Sequence, residues 1–532
     1  MHRVVTALAL LPLPLLPSSA LALSEGAAGL PSTTDPASRA IVGTIIVAVF
    51  ALLALEKVHR VLVVMGAVTL LWAITYLTPF RLISFEGSAR ALDFNVIFLL
   101  ASMMAVVGVL KTTGVFEWAV ARIMGFADGN AYVLLAAVTW FTAILSAFCD
   151  NVTTVIFVAP MVLQMARVMG VSPVAYLLPV VMASNIGGTA TLIGDPPNIM
   201  IGSGANLAFM EFIVNLTPPV IAMMFLLPWV SARFYRDQFA AAGERLGATA
   251  RGEPLPVPPI TDPRLLNWGL WISGLIFLGF FTHALTDMPT AVPATIGAGA
   301  LLIVQDVLYL RTHRPTHEER THGLLTVIER EIEWPTLIFF AFLFIAVGAA
   351  VQTGLIDTLA VGLARVIQGG SGALGLSSLG TVLFAALLIA WVSGVLSAII
   401  DNIPFVAVMI PIIHRLADQL PGETAVLWWA LALGACLGGN GTAVGASANV
   451  TALGIAERQG VRISFREFTR FGSVVATYTL VVSSVFLASQ VYLGARTAAL
   501  AWTTLVVVVL AVLGTRRLLA HGIHVRPTTV SR

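Results

Sequence analysis

Long apolar runs alternate with short polar breaks along almost the whole chain. Runs lie near 41–55, 61–78, 94–110, 173–203, 217–232, 265–285, 291–310, 335–352, 425–456, 471–493 and 498–515. Most reach the roughly 17–25 residues that a helix needs to cross a bilayer. The pattern predicts an all-α polytopic membrane protein with about 11 full spans. Two further apolar stretches, 131–168 and 379–418, are each interrupted midway by Asp-Asn. These read as re-entrant hairpins that enter and leave on one side. Irregular backbone at membrane depth survives only where protein or a cavity surrounds it.

Composition agrees with the pattern. Of 532 residues, 58% are hydrophobic and 11% charged, with a mean hydropathy of +0.93. A soluble domain carries far more polar surface. A net charge of +2 leaves no electrostatic footprint for a nucleic-acid partner. Cys149 and Cys436 both sit in apolar runs and have neither disulfide nor metal-ligand spacing. Residues 1–22 read as a signal peptide, with His2 and Arg3, an apolar core and an Ala20-Leu21-Ala22 end. The Pro-rich stretch 233–264 reads as a cytoplasmic linker. His313, His317 and His322 belong to a solvated loop rather than a metal site.

Positive charge orients the chain. Clusters at Lys57 and Arg60, Arg233 to Arg251, Arg311 to Arg330, Arg458 to Arg470, and Arg516 and Arg517 all fall on one side if the two hairpins do not cross. That side is the cytoplasm of a cell (inner) membrane protein, and the C-terminus lies there. Arg81 and Arg90 fall outside and are the exceptions.

The two halves repeat. Leu145-Ser146-Ala147-Phe148-Cys149-Asp150-Asn151 matches Leu396-Ser397-Ala398-Ile399-Ile400-Asp401-Asn402, 251 residues on. Gly187, Gly188, Thr191, Gly194 and Asn198 match Gly438, Gly439, Thr442, Gly445 and Asn449 at the same spacing of 251. Two separated motifs sharing one offset point to a duplication. The first repeat is 41–232, the second 265–494, and 498–515 is an added final helix. The charge pattern opens the two hairpins to opposite sides, so the copies are inverted. Transporters of that design bind solute and ions near the midplane, at broken helices.

The chemistry concentrates at the breaks. Asp150 and Asp401 are acids in apolar surroundings, each costing about 2.5–3.5 kcal/mol on insertion scales. Cation binding or proton exchange would account for them, and a plain helix-capping role is the alternative. Asn151, Asn402, Ser146, Ser397, Thr153 and Thr154 add hard oxygens. Such ligands suit Na⁺ or H⁺, not a transition metal. The Gly-rich segments supply Asn185, Gly187, Gly188, Thr189, Thr191 and Asp195, and in the second copy Gly438, Gly439, Asn440 and Thr442. Helix packing through small residues explains the glycines but not Asn185, Asn198, Asn440 and Asn449. These segments are the expected substrate site. Asp195 corresponds to Ala446, so the motifs hold three acids and no Lys or Arg. That balance favours a cation, a proton or a neutral oxyacid over a dicarboxylate.

At Ser146 to Thr154, Ser184 to Asn198, Asp401 to Pro411 and Leu433 to Gly454 the chain resembles the ion transporter superfamily. It is most similar to the arsenite permease and NhaD-type sodium–proton antiporter group, in the branch of the melanosomal P protein, with a citrate transporter-like domain. The resemblance implies an elevator-type fold, a homodimer and a moving domain that carries both hairpins. It also implies one cation site from Ser146, Asp150, Asn151 and Asn198. Ser397, Asp401, Asn402 and Asn449 would form the other. Related sodium–dicarboxylate symporters carry Ser-Asn-Thr at these tips, where this chain reads Asp150-Asn151-Val152 and Asp401-Asn402-Ile403.

A secondary transporter is therefore the expected function, with arsenite or antimonite, Na⁺ or, alternatively, citrate as cargo. An ion channel is the competing class. No metalloprotease, nucleophile-elbow or phosphate-loop motif points to an enzyme. No cofactor is expected beyond the coupling ion. No nucleotide-binding domain is present, so ATP drive would require a separate subunit.

Overall fold

The computed structural model describes residues 35–55, 57–126, 130–168, 170–239, 258–312 and 327–522. The expected signal peptide, the middle of the linker and the three loop histidines lie outside them. The described residues contain helices and no strand.

The first repeat runs α1 (Pro36–Leu55), α2 (Arg60–Leu77), the short α3 (Phe85–Ala91), α4 (Phe94–Thr112) and α5 (Val115–Phe126). It continues with α6 (Ala131–Phe148), α7 (Asn151–Val168), α8 (Pro173–Gly188), α9 (Pro196–Gly204) and α10 (Phe209–Phe234). The second runs α11 (Pro263–Thr286), α12 (Ala291–Thr312), α13 (Trp334–Gln352), α14 (Leu355–Ala373), α15 (Ser378–Ile399), α16 (Asn402–Ala417), α17 (Val426–Gly438), α18 (Ser447–Arg458) and α19 (Phe465–Leu493). Helix α20 (Ala495–Gly522) closes the chain.

Ten described helices are long and apolar enough to cross a membrane. All but two coincide with predicted runs. The two are α6 and α15, the first arms of the expected hairpins. At 18 and 22 residues they reach about 27 and 33 Å, bilayer length on their own. The predicted spans 173–203 and 425–456 are each split in two, at residues 189–195 and 442–446. A 3₁₀ turn, Gly439–Gly441, precedes the second gap. Hydropathy misses α3, α5 and α14, because an amphipathic or short helix leaves no unbroken apolar run.

Polar side chains cap the first amides of several helices, which have no partner within the helix. Asp93 accepts from the Val96 amide, Asn130 from Tyr132 and Val133, Asp262 from Arg264 and Leu265, and Ser377 from Gly380.

The duplication extends further than the two motifs. Thr113-Gly114 after α4 and Thr353-Gly354 after α13 both turn through a left-handed glycine, with φ of 74° and 71°. Each threonine hydroxyl donates back into its own helix, to Leu110 and Ala349. Pro160 and Pro411 interrupt α7 and α16 at equivalent positions, 251 residues apart.

The repeats exchange partners. Helix α2 packs on α13 of the other repeat, and its equivalent α12 packs on α4. Helix α18 packs on α7, and its equivalent α9 packs on α16. The breaks of both repeats are thereby brought together at one buried level.

Candidate ion and substrate site

Close backbone approach sets the site's frame. A Cβ on Gly187 would overlap the Ala143 carbonyl of α6, and one on Gly438 would overlap the Gly394 carbonyl of α15. Gly188 and Gly439 similarly face the backbones of Gly194 and Gly445. Of these four predicted substrate residues, Gly187 and Gly438 set the broken helices against α6 and α15, and Gly188 and Gly439 let the chain fold tightly across each break.

Hydroxyls stitch the same contact in mirrored fashion. Ser146 donates to the Ser184 carbonyl at 2.7 Å and Ser397 to the Ala435 carbonyl at 2.6 Å. Thr191 donates to the Ala147 carbonyl and Thr442 to the Ala398 carbonyl. Thr189 donates to the Asn185 carbonyl, while Thr154 is buried with no partner for its hydroxyl.

The asparagines complete the breaks. Asn198 donates to the Thr189 and Thr191 carbonyls at 3.0 and 2.8 Å. Asn449 does the same to Gly439 and Thr442 at 2.8 and 2.9 Å. Without them, unwound carbonyls would be buried unpaired, at about 1–3 kcal/mol each. Between repeats, Asn185 donates to both Asn440 and Asn449 at 2.9 Å. Cys436, the equivalent of Asn185, donates through its thiol to Asn198 at 3.6 Å.

The carboxylates stand around this core. Asp150 accepts from the Thr153 amide at 2.9 Å and from the Thr153 hydroxyl. Asp195 is 1% exposed; its Oδ1 accepts from Asn151 at 3.3 Å, and its Oδ2 has no donor. Asp401 caps α16 at the Ile403 amide and accepts from Ser447 at 2.9 Å.

Arg60 and Glu333 come from outside the motifs. The charge pattern counts Arg60 as a loop cation, yet its guanidinium lies 3.7 Å from Asp401 and donates to Ser447 and Thr336, both at 2.8 Å. Thr336 donates in turn to Glu333 at 2.9 Å. The motifs themselves hold no Lys or Arg, but Arg60 lies beside Asp401, and Glu333 adds a fourth acid to the three in the motifs. Chain distance hid both residues: Arg60 is brought in by the packing of α2 on α13. The one clue available was an arginine abutting an apolar run.

Two cavities meet here. An inner cavity of about 20 Å³ is lined by Asp150, Asn151, Asp195, Asn402, Glu333 and Arg60, among others. That is room for about one water-sized particle. An outer cavity of about 340 Å³ is lined by His59, Arg60, Asp401, Ser447 and Thr451, with apolar neighbours. Arg60 and Ser447 line both. Asn440, Ser146, Ser397, Asn198 and Asn449 are fully buried behind the cavities.

A multi-pass helical bundle with two broken helices, two Asp-Asn breaks and acids around a buried cavity defines a membrane transporter, not an enzyme. The chain belongs to the citrate transporter family, which it matches over residues 50–434. It is 37% identical to an uncharacterized transporter of Mycobacterium tuberculosis, over 84% of this chain and 96% of that one. It is 28% identical to the human P protein, over 84% of this chain and 59% of that one. Its fold is similar to the YdaH transporter of Alcanivorax borkumensis, with a TM-score of 0.51 at 15% identity, covering 86% and 99% of the two chains.

Proposed function

We propose that this transporter is a secondary one, moving a small inorganic ion or neutral oxyacid by alternating access, coupled to Na⁺ or H⁺. The observation that carries the reading is the inner cavity. Its volume of about 20 Å³ suits one small ion, and Asp150, Asp195 and Glu333 outnumber Arg60 on its wall. Asp195 keeps one oxygen without a donor, as a carboxylate awaiting a cation or proton would. In this reading Asp150 and Asp401 hold the coupling cations, with Asn151 and Asn402 beside them. The hairpins open to opposite faces and move as one carrier against α2, α4, α12 and α13, and the protein works as a dimer in the cell membrane.

A second reading is cation-coupled symport of a carboxylate. It is favoured by Arg60 on the wall of the 340 Å³ outer cavity and by the family to which the chain belongs. Flux into proteoliposomes under imposed pH or Na⁺ gradients, with arsenite, Na⁺ and citrate as cargo, separates the two. Gradient-driven arsenite or Na⁺ flux without citrate flux is expected. Tight citrate uptake would replace the first reading with the second, and conductance far above about 10³ ions per second would indicate a channel, since domain motions take μs to ms.

A further inference from the structure

The two Asp-Asn breaks are equivalent in sequence but not in chemistry. At the first, Thr153 supplies both donors to Asp150 from within the same helix. The residue 251 positions later is Pro404, which has neither a hydroxyl nor an amide hydrogen. Asp401 is therefore served from elsewhere. Ser447, standing where the first repeat has Pro196, donates to it, and Arg60 lies against it.

Arg60 is held in place from three directions. One nitrogen donates to Ser447, another to Thr336, and the guanidinium lies 5.5 Å above the Phe339 ring. Thr336 and Phe339 belong to α13, whereas Ser447 and Asp401 belong to the second break. The guanidinium thus spans two parts of the molecule. It cannot lose its proton, so its charge is fixed. Glu333, Asp150 and Asp195 line the inner cavity with it, and His59 and Asp401 the outer one.

We propose that Arg60 is a built-in competitor for the coupling cation at Asp401: it neutralises the carboxylate when that site is empty, and an arriving cation must displace it. The inference rests on reading Asp401 as a cation site. Because Arg60 and Ser447 line both cavities, displacement of the guanidinium also changes the boundary that the outer cavity shares with the inner one. Among the described residues no arginine or lysine is ion-paired or hydrogen-bonded to Asp150, so the two cation sites differ in affinity. A gradient must fill Asp401 before Arg60 lets go of the carrier, which ties movement to loading.

The test measures cation binding to the purified full chain. Radioactive sodium binding and proton uptake are compared for wild type, Arg60→Gln, Asp401→Asn and the double variant. Arg60→Gln is expected to lower the half-saturating concentration about tenfold, or ~1.4 kcal/mol. Asp401→Asn should remove that difference. Thr336→Val, which frees the guanidinium on one side but keeps its charge, should move affinity in the same direction by less. It also serves if Arg60→Gln does not fold. Unchanged or weaker binding in Arg60→Gln and Thr336→Val, with Asp401→Asn still impaired, overturns the role of Arg60 alone. Binding untouched by Asp401→Asn in either background overturns the cation site and this inference together.

Discussion

Asn185 donates its side-chain amide to Asn449 at 2.9 Å, from the break of one repeat to the break of the other. Its second hydrogen goes to Asn440, and its oxygen accepts from Asn151 at 3.2 Å. One fully buried side chain therefore ties the first hairpin tip, its own broken helix and the partner's broken helix together. The reverse bond exists but is weaker, since Cys436 reaches Asn198 through a thiol. The duplicated unit is reciprocal in layout and unequal in strength.

Replacing Asn185 by Leu leaves the oxygens of Asn440 and Asn449 without that donor. Each buried orphan costs about 1–3 kcal/mol. A clear fall in the thermal midpoint of the detergent-solubilised protein is expected. Asn185→Cys, which copies the second repeat, should lose less. Equal midpoints for Leu and wild type would mean that the bond contributes nothing.

Asp150→Asn and Asp401→Asn should each abolish gradient-driven flux in proteoliposomes. Asparagine remains an adequate helix cap, so both variants should still purify as folded protein. Undiminished coupled flux in both would count against placing the cations at these residues.

Thr153→Val separates capping from coordination at Asp150. It removes the hydroxyl donor and keeps the backbone amide. If the carboxylate holds a cation, freeing one oxygen should lower the half-saturating cation concentration severalfold. If Asp150 is only a cap, stability falls by about 1 kcal/mol with no change in ion dependence. The first outcome is expected, read from the Na⁺ and pH dependence of flux.

Gly187→Ala and Gly438→Ala would each drive a methyl group into a backbone carbonyl, which cannot move aside as a side-chain tip can. Overpacking of about 1–3 kcal/mol or more is expected. Size-exclusion chromatography should show loss of the monodisperse peak. Gly66→Ala, which meets nothing within 4 Å, is the control and should behave as wild type. A well-folded Gly187→Ala protein would refute the close helix approach.

Much of the fold is written in one dimension. Apolar runs mark most spans because burial in lipid acts residue by residue along a helix. The breaks are visible because Asp-Asn, Pro196 and Pro197 cannot pass unnoticed in a hydrocarbon-rich stretch. The helices α5 and α14 are not legible in this way, since each mixes polar and apolar faces. The hairpin arms α6 and α15 match a crossing helix in length, so hydropathy cannot tell an arm from a span.

By itself the sequence determined the membrane class, the duplication and the identity of the acids and asparagines at the breaks, because those features depend on local composition and on a repeated spacing. Only the tertiary structure decided which atoms meet. It set α18 against α7 and α9 against α16, turned Arg60 from a loop charge into a partner of Asp401, and added Glu333 to the cavity wall. Contacts between residues hundreds of positions apart arise from how helices pack across the two repeats, and no local pattern encodes that geometry.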